Sequence, residues 1–276
     1  MRSLISKILQ LKNNPRIRYS VACALLALAT LSAWQVISYW RSISAAEEEF
    51  AAIAREFHRQ KAEASAPTES GSDLTPQADP QPESDPTMLA SIQALHEENQ
   101  DLAGWVLIEG TKIDYPVMHT PDRPQYYIQR NFKKAKSSSG TPFMDEYCNI
   151  DSDNIILWGH NMRSGTMFAG ILRYQEESYR EKHPLVKFFT PYEERTYQVV
   201  AAFYSDVDTR KEDFPWYTYI DLREQEDREA FFAHLRKTSL IEVPEDIGQG
   251  DKFLTLATCS YHITTGRFVV VAREIS

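Results

Sequence analysis

Cysteine is scarce in this chain. Only Cys23, Cys148 and Cys259 occur in 276 residues. Three cysteines cannot build a disulfide framework, and Cys23 falls inside an apolar stretch, so Cys148–Cys259 is the one intrachain bridge open outside it. Basic charge is also short. Lys and Arg number 30 against 39 Asp and Glu, a net charge of −9. A nucleic-acid partner needs a basic surface, so that class of partner is not expected. Paired-cysteine and His-x-x-x-His spacings are missing, so neither a metal nor another cofactor is expected. The acidic stretch of Asp145, Glu146, Asp151 and Asp153 reads as a solvated loop rather than a Ca²⁺ site. No internal repeat is visible.

Long apolar runs are confined to one place. Residues 19–40 are 22 residues without a charged side chain, enough to cross a hydrocarbon core of about 30 Å. Tyr19 sits at one edge and Tyr39 and Trp40 at the other, as interfacial aromatics do. Arg2, Lys7, Lys12, Arg16 and Arg18 precede it with no acid between them. The positive-inside rule then predicts a single-pass protein of the cell membrane, with residues 1–18 cytoplasmic and everything after Arg41 extracellular. A cleaved signal peptide is the competing reading, with Ser42-Ile43-Ser44-Ala45-Ala46 as the nearest processing site; the length of the apolar stretch favours an anchor.

Residues 41–86 read as a stalk and linker. Phe50, Ile53 and Phe57 recur at spacings of three and four, which predicts a helix over 45–64 lifting the rest off the membrane. Residues 65–86 hold Pro67, Pro76, Pro80, Pro82 and Pro86 among Ser, Thr, Asp and Glu. Such a segment cannot bury a core and stays extended. A folded domain is expected over 87–276. It opens with a helix carrying Met88, Ile92 and Leu95 on one face, capped by Thr87. Strands are predicted at 105–108, 113–117, 154–158, 185–189, 196–204, 252–258 and 267–272, with helices at 167–180 and 225–239. Seven short strands and two internal helices make the domain mostly β, a barrel or sandwich with inserted helices.

Three residues at strand ends carry the chemistry. Cys259 closes Leu254-Thr255-Leu256-Ala257-Thr258-Cys259, His160 closes Ile155-Ile156-Leu157-Trp158-Gly159-His160, and Arg267 opens Arg267-Phe268-Val269-Val270-Val271. A thiolate is a nucleophile when a positive charge stands near it. An imidazole can protonate a leaving amine, and a guanidinium can bind a developing oxyanion. Taken singly, each has a plain reading: a small buried hydrophobe, a backbone-bonded histidine, a solvated arginine. His262 lies near Cys259 in sequence and competes with His160 for the base role.

Together these segments resemble the sortases, the cysteine transpeptidases of Gram-positive cell surfaces. Trp158-Gly159-His160-Asn161-Met162, Thr255-Leu256-Ala257-Thr258-Cys259 and Arg267-Phe268-Val269-Val270 carry the resemblance. Gly104 to Val117, Tyr127-Ile128-Gln129-Arg130-Asn131-Phe132 and Gly165-Thr166-Met167-Phe168 are similar to class B, as is a helix in the insert of residues 205–250. The resemblance covers about residues 88–276 and implies a sortase-like closed β-barrel of seven to eight strands. It implies that Cys259 attacks a C-terminal sorting motif of a secreted protein and that His160 protonates the leaving nitrogen. Arg267 would steady the oxyanion or align the motif. An amine of a peptidoglycan precursor or a pilin lysine would then resolve the acyl-enzyme.

Asn131 matches a polar position of the family's groove, and Trp158, Ala257, Thr258 and Ser260 flank the site. Ala257, Ser260 and Trp158 stand where class B more often has serine, an acid and tyrosine. Tyr217, Tyr219 and Ile220 are candidate pocket walls, with the groove expected between strands 196–204 and 252–258. Two other readings stay open: a secreted cysteine peptidase that resolves the acyl-enzyme with water, and a membrane-tethered surface binding module. Papain-like order is excluded because the histidine precedes the cysteine, and Ala257-Thr258-Cys259 lacks the Ser-x-Gly-Cys context of L,D-transpeptidases.

Overall fold

A computed structural model describes residues 15–65, 88–208, 210 and 214–276. The Pro-rich linker and the expected Thr87 cap lie outside the described residues. The chain forms two compact units, Met1–Ala45 and Ala46–Ser276. Helix α1, Pro15–Ser65, runs through the boundary. Its first part is apolar and long enough to cross a bilayer. Leu25, Leu26, Leu28 and Trp34 are all exposed there.

The second unit is built on a closed barrel. Helix α2 (Ala90–Glu98) leads into strands β1 (Leu102–Leu107), β2 (Asp114–Met118), β3 (Phe143–Met144) and β4 (Asn154–Trp158). Helix α3 (Glu177–Lys182), strands β5 (Leu185–Phe189) and β6 (Glu194–Asp206), helix α4 (Gln225–Thr238) and strands β7 (Phe253–Cys259) and β8 (Gly266–Glu274) follow. The strands close in the order β1-β2-β3-β4-β7-β8-β6-β5. Closure leaves no open sheet edge. Most pairs are antiparallel, but β4 and β7 are parallel, Asn154↔Phe253 through Trp158↔Ala257. β7 is buried from Phe253 to Thr258, which is why it reads as a continuous run rather than an alternation.

The expected closed barrel is present with eight strands, one more than the seven predicted, and it shows three differences. First, residues 167–180 are not one helix. A 3₁₀ segment, Phe168–Gln175, precedes α3. Phe168, Ile171 and Tyr174 are buried at intervals of three, which suits three residues per turn, and extended Glu176 separates the two pieces. Second, β3 is only two residues long and pairs in parallel with β2 through Met118↔Phe143, too short to show a period. Third, residues 46–65 are not a stalk clear of the domain. Phe57 is fully buried; its ring stacks on Trp105 at 4.4 Å and meets Phe189 edge-on at 5.0 Å.

Polar contacts fix the same helix against the barrel. His58 Nε2 lies 2.8 Å from Asp114 Oδ2, while the Trp105 indole donates to Asp114 Oδ1 at 2.7 Å. Lys61 pairs with Glu194 at 2.7 Å and lies over the Phe189 ring. The apolar stripe of Phe50, Ile53 and Phe57 therefore finds its partner on the barrel wall, as an amphipathic helix requires. Phe57→Ala should lower the domain's unfolding free energy by about 3–5 kcal/mol, as for other buried phenylalanines, measured by urea denaturation. A loss below about 1 kcal/mol would show that the helix adds nothing to the folded unit.

Candidate active site

The parallel β4–β7 pair ends with Trp158 beside Ala257. The chain continues from β4 into Gly159-His160 and along β7 to Cys259, so histidine and cysteine leave the barrel side by side. Gly159 N donates to the Ala257 carbonyl at 3.1 Å, and Thr258 Oγ1 donates to the Gly159 carbonyl at 2.7 Å. Gly159 has to be glycine: a Cβ there would sit 2.5 Å from the Phe168 ring, which tucks beneath the turn as Phe168 N donates to the His160 carbonyl at 2.9 Å.

Arg267 arrives from the other side. It is the register partner of Cys259 across β7 and β8. Opposed residues of an antiparallel pair point to one face, with Cβ atoms about 5 Å apart. Arg267 Nη1 donates to the Gly266 carbonyl at 3.0 Å, which leaves most of its five N–H groups for another acceptor.

His160, Cys259 and Arg267 line one cavity of about 230 Å³, together with Trp158, Ala257 and Thr258. Its opposite wall comes from the Thr120–Ile128 region and from Phe143 to Glu146. Asp145 accepts the Trp158 indole N–H at 2.8 Å, so one carboxylate of the acidic loop is spent on holding that wall. The groove is thus not between strands 196–204 and 252–258: β8 lies between β6 and β7, and the cavity opens on the β3–β4 side.

Other predicted residues sit apart from this cavity. The Asn131 amide donates to the Glu49 carboxylate at 2.7 and 2.8 Å, tying its loop to α1. Ser260 is buried and its hydroxyl bonds to His262 Nδ1 at 2.5 Å. Tyr219 stacks between Phe214 and Phe231. Tyr217 and Ile220 pack against the core beside it, because the insert is anchored there by Trp216 and α4. None of these lines the cavity. His262 is exposed, rests its ring against Tyr204, and also stays outside. Of the two competing histidines, His160 is the one the fold brings to Cys259.

Three contacts escape motif reading. Asn161 Nδ2 donates to the Cys259 carbonyl at 2.8 Å, and the Tyr261 hydroxyl donates to the Asn161 carbonyl at 2.8 Å. Asn161 follows His160 directly, so its position was visible but its partner, 98 residues away, was not. The Ile128 carbonyl, 2.6 Å from His160 Nε2, is a backbone group and has no side-chain signature.

The family model of the Sortase domain matches residues 106–275. The chain belongs to the sortase family. It is 31% identical over 189 residues to Sortase B of Staphylococcus aureus (strain NCTC 8325 / PS 47), spanning 67% of this chain and 74% of that protein. The X-ray structure of Clostridium perfringens sortase B superposes with a TM-score of 0.60 at 32% identity, over 67% of this chain and all of that one. A Staphylococcus aureus sortase B–substrate complex superposes with a TM-score of 0.67 over 83% of this chain and 95% of that one; at 24% identity it speaks for the fold. These similarities put this sortase in class B, among cysteine transpeptidases.

The two cysteines of the folded unit differ sharply. Cys148 is buried, and burial pushes its thiol up to about 12 although it accepts the Ile156 N–H. Cys259 is half-exposed in the cavity. A water-soluble methanethiosulfonate at neutral pH should modify Cys259 and leave Cys148 untouched, read by peptide mass mapping. Labelling of Cys148 at a comparable rate would contradict this geometry.

Proposed function

We propose that this sortase is a membrane-anchored transpeptidase whose nucleophile is Cys259. The single observation that carries the reading is the register pairing of Cys259 with Arg267, in a cavity that also holds His160. The Cys259 thiolate attacks a carbonyl of a C-terminal sorting motif on a secreted protein. Arg267 offers N–H donors to the oxygen that becomes negative, where preorganised donors count most. His160 protonates the leaving amide nitrogen, then accepts a proton from the incoming amine as the thioester is resolved. That amine belongs to a peptidoglycan precursor or to a pilin lysine.

Residues 19–40 anchor the protein, with the N-terminus cytoplasmic and the catalytic domain extracellular. The exposed apolar side chains of that stretch and the five preceding basic residues support this placement. Trp158, Ala257 and Thr258 are the cavity-wall residues beside the motif. The solved Staphylococcus aureus sortase B–substrate complex, which shares the fold, supports a substrate-binding role for this fold.

A sorting-motif peptide library incubated with the protein and hydroxylamine tests the reading. Hydroxamate should form and should vanish with Cys259→Ala. His160→Ala and Arg267→Ala should each lower turnover by about a hundredfold to a thousandfold without unfolding the domain. Hydrolysis indifferent to added amine would favour the peptidase, and absence of any turnover the binding module. Loss of activity with His262→Ala but not with His160→Ala would reverse the base assignment.

A further inference from the structure

His160 Nε2 lies 2.6 Å from the Ile128 carbonyl oxygen. A carbonyl only accepts, so Nε2 carries the proton of the neutral ring, and Nδ1 is the nitrogen left to exchange one.

The Ile128 carbonyl is itself held on two sides. On one side stands Tyr127, fully buried. Its hydroxyl donates to Asp101 Oδ2 and accepts from Asn99 Nδ2, both at 2.8 Å. Asn99 Nδ2 also donates to the Phe132 carbonyl at 2.6 Å, and Lys134 pairs with Asp101 at 3.0 Å, so the network fastens both ends of the 127–134 loop. Burial pushes the Tyr127 phenol above its ordinary range. Burial would raise the Asp101 carboxyl as well, but the Tyr127 hydroxyl and Lys134 outweigh it and hold that group low. On the other side passes Gly140, with φ +59°. A Cβ there would meet the Ile128 oxygen at 2.6 Å and the Tyr127 oxygen at 2.8 Å. The next residue, Thr141, donates its N–H to that Tyr127 carbonyl at 3.0 Å.

We propose that Tyr127 and Gly140 are positioning residues for His160: through the Ile128 carbonyl they set which ring nitrogen exchanges the proton. The proposal rests on His160 being the acid–base group of the site above. In acylation the Sγ–C bond forms and the C–N bond breaks. Nδ1 first takes the Cys259 thiol proton as the thiolate forms, then passes it to the departing nitrogen, which returns the ring to the neutral form with Nε2–H on Ile128.

The test uses the full chain in detergent micelles with ¹⁵N-labelled histidine. Two-bond ¹H–¹⁵N correlation spectra report the tautomer, and the His160 signals are those lost in His160→Ala. The parent protein should show Nε2–H. Gly140→Ala and Tyr127→Phe should show mixed tautomers, with kcat for hydroxamate formation lowered about tenfold to a hundredfold and KM within about twofold. A parent ring in the Nδ1–H form, or variants that keep both tautomer and kcat, would overturn the proposal. If Gly140→Ala does not fold, the parent and Tyr127→Phe decide by the same criteria. Full activity in His160→Ala would sink the acid–base assignment and leave the tautomer result standing.

Discussion

The site depends on one strand pairing. β4 and β7 run parallel, and five successive residue pairs hold them in register from Asn154↔Phe253 to Trp158↔Ala257. Parallel strands need a long crossover, and this one carries α3, β5, β6 and α4. The pair is also buried along β7 from Phe253 to Thr258, so a slip of one residue would turn core side chains outward and is strongly disfavoured. Asn154 adds a polar lock at its start: its side chain donates to the Tyr219 carbonyl at 2.9 Å and accepts the Thr255 hydroxyl at 2.7 Å. Everything at the far end, the glycine turn, the imidazole and the thiol, inherits its place from that register.

The barrel wall is thickened on one side by α1. The second half of that helix is amphipathic and its stripe is consumed by Trp105, Tyr115 and Phe189. A stripe of three apolar residues at helical spacing tells that a helix has a buried face; it does not tell what buries it. That is why residues 45–64 read as a stalk from sequence and pack as part of the domain in the structure. The ring partners of Phe57, Trp105 and Phe189, lie far along the chain, and no local signal spans such a gap.

The fold itself was largely legible. Runs such as Ile155-Ile156-Leu157 and Val269-Val270-Val271 are continuous because their strands are buried on both faces, and short strands punctuated by turns point to a barrel. What escaped was set by tertiary context. The two residues of β3 have no period, and the 3₁₀ turn of Phe168–Gln175 differs from an α-helix only in whether the apolar spacing is three or alternates three and four. In the site, Cys259, His160 and Arg267 were legible as strand-end residues. Tyr217, Tyr219 and Ile220 were not placed correctly by sequence, because aromatic residues in an insert look alike whether they face a cleft or, as Tyr219 does, fill a stack with Phe214 and Phe231. Asn131 has polar character that suits a groove, yet its amide is taken by Glu49.

The link from Asn161 to the Cys259 carbonyl, with Tyr261 bonded back to Asn161, stitches the segment after the histidine to the segment after the cysteine. The separation of imidazole and thiol is therefore a property of the resting backbone rather than something a bound peptide must arrange. The loss of conformational freedom needed to bring the two groups together is incurred at folding, once, and not at each encounter. Under the proposed mechanism, binding energy from a peptide is then free to go into straining and orienting the scissile bond. Discrimination between peptides would then fall to the cavity walls, because His160 and Cys259 already line one cavity in the resting fold.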